Sequence, residues 1–293
     1  MRAVVAALAL WIALGAGPAL AQSKPGPQGS EDGDHRKQLW MIPSPETGVL
    51  MRATVLRPRG AGPFPLAVIN HGSTQSAQRR AAMPLPSYDD LARWFVERGY
   101  VVVLPQRPGH GQTGGVYLEN QGGCATADYR KSGLGVAASI ASAVAYMTTQ
   151  KFVRHTGVVV VGQSAGGWGA IAYASQAPRG VKAIINFSGG RGGRSYDKPN
   201  NNCAPERLIA TARRFGRTSH IPTLWLYSAN DSYFPPSLSK RMAEAFRAAG
   251  GRADYHLLPG FGAEGHRFVE LPDSVAAWGP VAREFLAKQN SLR

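Results

Sequence analysis

Gly162-Gln163-Ser164-Ala165-Gly166 follows four consecutive valines and precedes a run of small residues. The valines predict a strand covered on both faces, and residues 165–176 predict a helix. A serine at such a strand-to-helix junction, with glycine two positions to either side, has the pattern of a nucleophile elbow. The turn is too tight for bulky flanks, which is why glycine is wanted there. It would lift the Ser164 hydroxyl above the sheet and aim the first helical amides, beginning with Ala165, at whatever the serine attacks. Those amides and the helix dipole favour a developing oxyanion. The plain alternative is an ordinary glycine-rich turn. A serine hydroxyl is a weak nucleophile and needs a base, which in turn needs an orienting group. Asp231 stands in the polar turn after a strand predicted over 223–227, where it could also cap the helix that follows. His266 stands in the loop after a strand predicted over 253–258.

With these residues the sequence resembles the α/β-hydrolase superfamily, and within it the dienelactone-hydrolase-like and prolyl-oligopeptidase-like esterases and peptidases. The resemblance spans about 49 to 287. It implies an α/β fold with a mostly parallel central sheet, helices on both faces, and the chain order serine, acid, histidine. On that pattern Asp231 is the acid, with Asp254 and Asp273 as the alternatives. His266 is the base, and His256 is its competitor inside a strand. His71-Gly72-Ser73-Thr74 is similar to the loop that gives esterases their second oxyanion donor. The Ser73 amide is expected in that role beside the Ala165 amide, or Thr74 if the loop is offset by one. His71 is expected to brace the loop. Arg107 is expected to brace the top of the sheet or to meet a substrate carboxylate. Trp168 and Phe234 read as core. The resemblance implies no cofactor and no metal. Dienelactone hydrolases proper typically use cysteine, so the serine favours ordinary esters.

The expected activity is therefore that of an exported serine hydrolase. It would cleave a small-molecule or polymer-derived carboxylic ester through an acyl-enzyme. A peptidase or amidase could use the same triad. The related oligopeptidases carry a propeller domain for which this chain has no room. From a different class, a non-catalytic polymer-binding protein could sit on the same scaffold, although such relatives usually lose a triad member.

The elements that must hold these residues alternate along the chain. Strands are predicted over 49–56, 65–70, 100–104, 157–162, 181–187, 223–227 and 253–258. Helices are predicted over 88–98, 128–150, 165–176, 235–249 and 275–289. Such alternation gives a parallel sheet whose site lies at the carboxyl ends of the strands. Residues 189–220, rich in Gly, Arg, Asn and Ser, interrupt the pattern as a long excursion and a candidate small cap.

Before the domain, Arg2, a short apolar run and Ala19-Leu20-Ala21 read as a signal peptide cleaved after Ala21. Its apolar core is short for a bilayer span, so stable membrane insertion is not expected. Residues 22–38 are polar and read as a flexible lead-in. In an exported protein the two cysteines, Cys124 and Cys203, are expected to pair as a disulfide. The net charge of +15 comes mostly from scattered arginines. It reads as a solvated basic surface rather than as a site for an acidic polymer, and no nucleic-acid motif accompanies it. The oligomeric state is not readable from the sequence.

Overall fold

The computed structural model of the 293-residue chain describes residues 24–291, with side chains through 289. The expected signal peptide, residues 1–21, lies outside the described residues. In chain order the strands and α-helices are β1 (Gly26–Asp32), β2 (Lys37–Pro43), β3 (Leu50–Leu56), β4 (Leu66–Asn70), α1 (Ala77–Ala81), α2 (Asp89–Val96), β5 (Val101–Pro105), α3 (Tyr129–Met147), β6 (Val158–Gln163), α4 (Ala165–Ala174), β7 (Val181–Phe187), α5 (Pro205–Gly216), β8 (Thr223–Ser228), α6 (Pro236–Ala248), β9 (Ala253–Leu258) and α7 (Val275–Ser291).

Among the described residues these strands form one nine-stranded sheet in the order β1-β2-β3-β5-β4-β6-β7-β8-β9. The contacts β1–β2, β2–β3 and β3–β5 are antiparallel. From β5 to β9 every pair is parallel. Strands β4, β5 and β6 are buried at every residue, which suits their valine-rich runs: β-branched side chains fill both faces of a covered sheet. Apolar residues of α3, α4, α5 and α6 cover one face, and those of α2 and α7 cover the other. The strand order reverses at β4, which has β5 on one side and β6 on the other. Asn70 at the end of β4 is in register with Gly162 near the end of β6. The two loops that must meet, after β4 and after β6, therefore leave the sheet side by side at its switch point.

Two expectations are corrected. The lead-in predicted over 22–38 contains β1, and β2 begins at Lys37. Its composition is polar because β1 is an edge strand with mostly exposed side chains. It is held through the backbone ladder to β2 and through Glu31, which pairs with Arg36 at 2.5 Å. Hydrogen-bonded pairing needs little apolar burial. The excursion over 189–220 is not wholly a cap: its second half is α5, which belongs to the helical layer. Pro205 starts α5, and Leu208, Ala212 and Phe215 form its buried stripe. The arginines on the other face hid that stripe. Residues 189–204 do line the mouth of the site.

Cys124 and Cys203 are joined by a disulfide across a sequence separation of 79. It ties the loop before α3 to the loop before α5. Closing a loop of this length restricts the unfolded chain by about 4 kcal/mol in the chain-entropy account. Reduction is accordingly expected to lower the melting temperature of the native protein, and a Cys124→Ser/Cys203→Ser variant should melt at the reduced value with or without reductant. Equal melting of all forms in calorimetry would show that the bridge adds no stability.

Candidate active site

β6 ends at Gln163 and α4 begins at Ala165, so Ser164 alone makes the turn between them. Its backbone lies at φ 54° and ψ −119°, a region that costs a side chain of order 1–3 kcal/mol. Two positions to either side, only residues without Cβ fit. A Cβ on Gly162 would stand 2.3 Å from the carbonyl of Gly166, and one on Gly166 would stand 2.1 Å from the Asn70 carbonyl oxygen. The turn is pinned by the Ser164 amide donating to Phe187 at 2.9 Å and by the Ser164 carbonyl accepting from Trp168 at 2.9 Å. The hydroxyl is half-buried and faces a cleft of about 1020 Å³ that also reaches His266, Ser73 and Ala165.

Three of the residues singled out in the sequence meet here. His266 Nε2 lies 2.9 Å from Ser164 Oγ. His266 Nδ1 lies 3.2 and 3.1 Å from the two carboxylate oxygens of Asp231. A carboxylate only accepts, so Nδ1 carries the proton and Nε2 is free to accept from the serine. Asp231 is almost wholly buried, and its Oδ1 also accepts from the amides of Tyr233 and Phe234 at 2.8 and 2.9 Å. The helix-capping role weighed for this aspartate is not seen, since α6 has Pro235 as its N-cap and no side-chain cap; Asp231 instead closes a turn ahead of the helix while contacting His266. The alternatives fall elsewhere. His256 pairs with Asp254 at 3.0 Å on β9, both partly exposed, and Asp273 begins a separate turn before α7.

Several groups around the histidine carry no sequence motif. Glu264 accepts from the His266 amide at 2.9 Å, from the Ser232 amide at 3.1 Å, and from the Ser232 hydroxyl. It thereby ties the loop of the base to the loop of the acid. Burial raises its carboxyl, but these hydrogen bonds outweigh burial and hold it below its ordinary value. Gln163, the variable residue of the elbow, donates to the His266 carbonyl at 3.1 Å. Tyr233 stacks on the imidazole with centroids 4.1 Å apart, and Phe234 packs on it at an angle. Trp168 is fully buried, with its indole N–H on the Tyr129 carbonyl.

The loop after β4 runs beside the elbow: a Cβ on Gly72 would stand 3.4 Å from the Cβ of Ser164. His71 braces it as expected. His71 Nε2 accepts from the Arg107 amide at 3.1 Å, and its carbonyl accepts from the Arg107 guanidinium at 2.8 Å. Arg107 is fully buried and also pairs with Glu119 at 2.5 Å, so of its two expected roles it takes the structural one. Arg191 approaches the same carboxylate at 3.5 Å. Burial alone would raise Glu119, yet Arg107, His110 and Arg191 hold it down to about 2. Burial lowers His71 well below its usual value and lowers His110 to about 4.

A histidine that stays neutral when folded and protonates near 6.5 when unfolded links stability to pH. Between about 6.5 and 4 the unfolded chain binds a proton that folded His110 refuses, so stability is full above this window and falls as the pH falls through it. One such group is worth up to about 3 kcal/mol. His110→Asn is expected to make the dependence of the urea midpoint on pH between 7 and 4 shallower, leaving the part that buried His71 contributes. An unchanged slope would refute the assignment.

Among the described residues no helix is long and apolar enough to cross a membrane. A sequence search of curated proteins finds no match. Solved structures do match in fold. Acetyl xylan esterase 1 from Thermoanaerobacterium sp. aligns with a TM-score of 0.60 at 16% identity, over 92% of this chain and 89% of that one. A puromycin-hydrolyzing peptidase from Mycobacterium tuberculosis aligns with a TM-score of 0.59 at 19% identity, over 82% of this chain but only 38% of that one. An acylaminoacyl peptidase from Pyrococcus horikoshii aligns with a TM-score of 0.58 at 14% identity, over 84% of this chain and 39% of that one. At these identities the likeness establishes the α/β-hydrolase fold. The family model described as "Dienelactone hydrolase family" matches residues 83–278, two-thirds of the sequence, and on that match the chain is a hydrolase belonging to the dienelactone hydrolase family.

Proposed function

We propose that the protein is an exported serine esterase. The observation that carries this reading is the unbroken contact from Ser164 Oγ to His266 Nε2 at 2.9 Å and from His266 Nδ1 to Asp231 at 3.1 Å. His266 takes the serine proton as Oγ attacks the ester carbonyl. The Ala165 and Ser73 amides hold the tetrahedral oxyanion. His266 then returns the proton to the leaving alkoxide, and the acyl group remains on Ser164. Water, deprotonated by the same imidazole, attacks the acyl-enzyme, and the imidazolium returns that proton to Ser164 Oγ as the acid is released. Asp231 keeps Nδ1 protonated and stabilises the imidazolium throughout. Export is supported by the disulfide and by the sequence pattern of residues 1–21.

Ester rather than amide cleavage is favoured by the extent of the fold likenesses: acetyl xylan esterase 1 is matched over 89% of its length, the two peptidases over 38% and 39% of theirs. The fold likeness to peptidases makes amide hydrolysis the second reading, and parallel assays on p-nitrophenyl esters and p-nitroanilides separate the two.

The first test is a fluorophosphonate probe with peptide mapping. Labelling is expected at Ser164 and should vanish in Ser164→Ala, together with ester turnover, by at least about a thousandfold. Folded protein that takes no label, or an active Ser164→Ala, would end the serine-hydrolase reading. Asp231→Asn is expected to lower kcat by about a thousandfold or more with a much smaller change in KM, because it spoils the tautomer of His266 and leaves the cleft intact. A variant that lost affinity and kept kcat would mean that Asp231 only holds its turn.

A further inference from the structure

Ser73, which lines the cleft in the loop beside Ser164, makes a second serine–histidine contact that the mechanism above leaves unused. Ser73 Oγ lies 2.7 Å from His110 Nε2 and 3.3 Å from the Tyr117 hydroxyl. Tyr117 in turn accepts from Arg191 Nη2 at 2.7 Å. At the other end, His110 Nδ1 lies 3.2 and 3.1 Å from the carbonyls of Arg107 and Pro108.

The two ends fix the direction of every proton. Carbonyls only accept, so His110 Nδ1 is the protonated nitrogen and Nε2 accepts. The Ser73 hydroxyl therefore donates to His110. Arginine only donates, so the Tyr117 hydroxyl is turned toward Ser73. Each link is polarised by the one before it, starting from a buried guanidinium. Arg191 is itself held by Gln121 at 3.1 Å and by the Glu119 carbonyl at 2.8 Å. Ser73, held from both sides in this chain, lies in the loop that runs beside Ser164.

We propose that Tyr117 and His110 are positioning residues, and that the chain Arg191–Tyr117–Ser73–His110 fixes Ser73 so that its backbone amide is aimed at the reacting oxyanion. The inference rests on the functional reading above. An oxyanion donor acts through preorganisation, and displacing it by a fraction of an ångström costs more stabilisation in the transition state than in the ground state. Fixing the side chain of the donor residue on two sides is one way to hold its amide still. The neighbouring carbonyls of Thr74 and Gln75 are held independently by Arg80 at 2.9 and 2.8 Å.

The test compares wild type, Tyr117→Phe, Ser73→Ala and the double variant. The readouts are kcat, KM, melting temperature and the inhibition constant of an aryl boronic acid, whose adduct with serine places an oxygen in the oxyanion pocket. Each substitution removes a single hydroxyl, and Tyr117→Phe keeps the ring that packs 3.6 Å from Arg80. Tyr117→Phe is expected to lower kcat about tenfold, to leave KM within about twofold, and to weaken the boronic acid by the same factor as kcat. The double variant should be no worse than Ser73→Ala, because both cut one chain. Losses that multiply would overturn the proposal. So would a lowered melting temperature with kcat and boronic acid affinity unchanged, which marks packing alone. A wild type without ester turnover, or boronic acid binding that survives Ser164→Ala, would overturn the functional reading and this inference with it; an active wild type matched by Tyr117→Phe overturns the inference only.

Discussion

The turn at Ser164 is a backbone that L-amino acids avoid, and much of the local structure exists to make it tolerable. At φ 54° the serine is held on one side by β6 and on the other by the first turn of α4. The helix must begin at once, and it must begin pressed against the end of β4, where Gly166 nearly touches the Asn70 carbonyl. That closeness is what brings the loop after β4 to the nucleophile. It also sets how the later loops arrive: the Ser164 amide is spent on Phe187 at the end of β7, and Gln163 reaches the carbonyl of His266. A relaxed turn would separate all three.

A different constraint governs the opposite wall. Arg107, Glu119 and Arg191 are buried together, an arrangement that charge burial alone makes expensive. Its geometry explains its presence. The Arg107 guanidinium and amide hold both the carbonyl and the ring of His71, and Arg191 reaches Tyr117. Apolar residues of equal volume could fill this space, but they could not hold the loop by its polar atoms. The site is thus framed by strain on one side and by buried charge on the other.

The fold was legible because the valine runs of β5 and β6 and the alternation of strands and helices are strong periodic signals. The elbow was legible because its glycines are demanded by contacts within one short segment. Asp231 and His266 needed the family pattern: they are far apart in sequence, and Asp254 and His256 stood as alternatives, His256 disfavoured by its place inside a predicted strand. Glu264, Tyr117 and His110 were not legible at all. Their roles depend on long-range meetings, such as Glu264 with Ser232 and His110 with Ser73, for which no local spacing exists. The strand β1 was missed for a related reason: its stability comes from a partner strand and not from its own side chains.

That first strand also decides where the sheet stops. An outer strand offers its free backbone groups to any other extended chain. Here the outermost strand contains Pro27, which has no amide hydrogen to offer, and Gly29 at φ 71°, which bends the ribbon away from a flat ladder. Exposed Asp32 adds a carboxylate at its end. At this edge of the described sheet a second copy of the chain would find a broken row to add to, which works against the templated aggregation that an open edge invites.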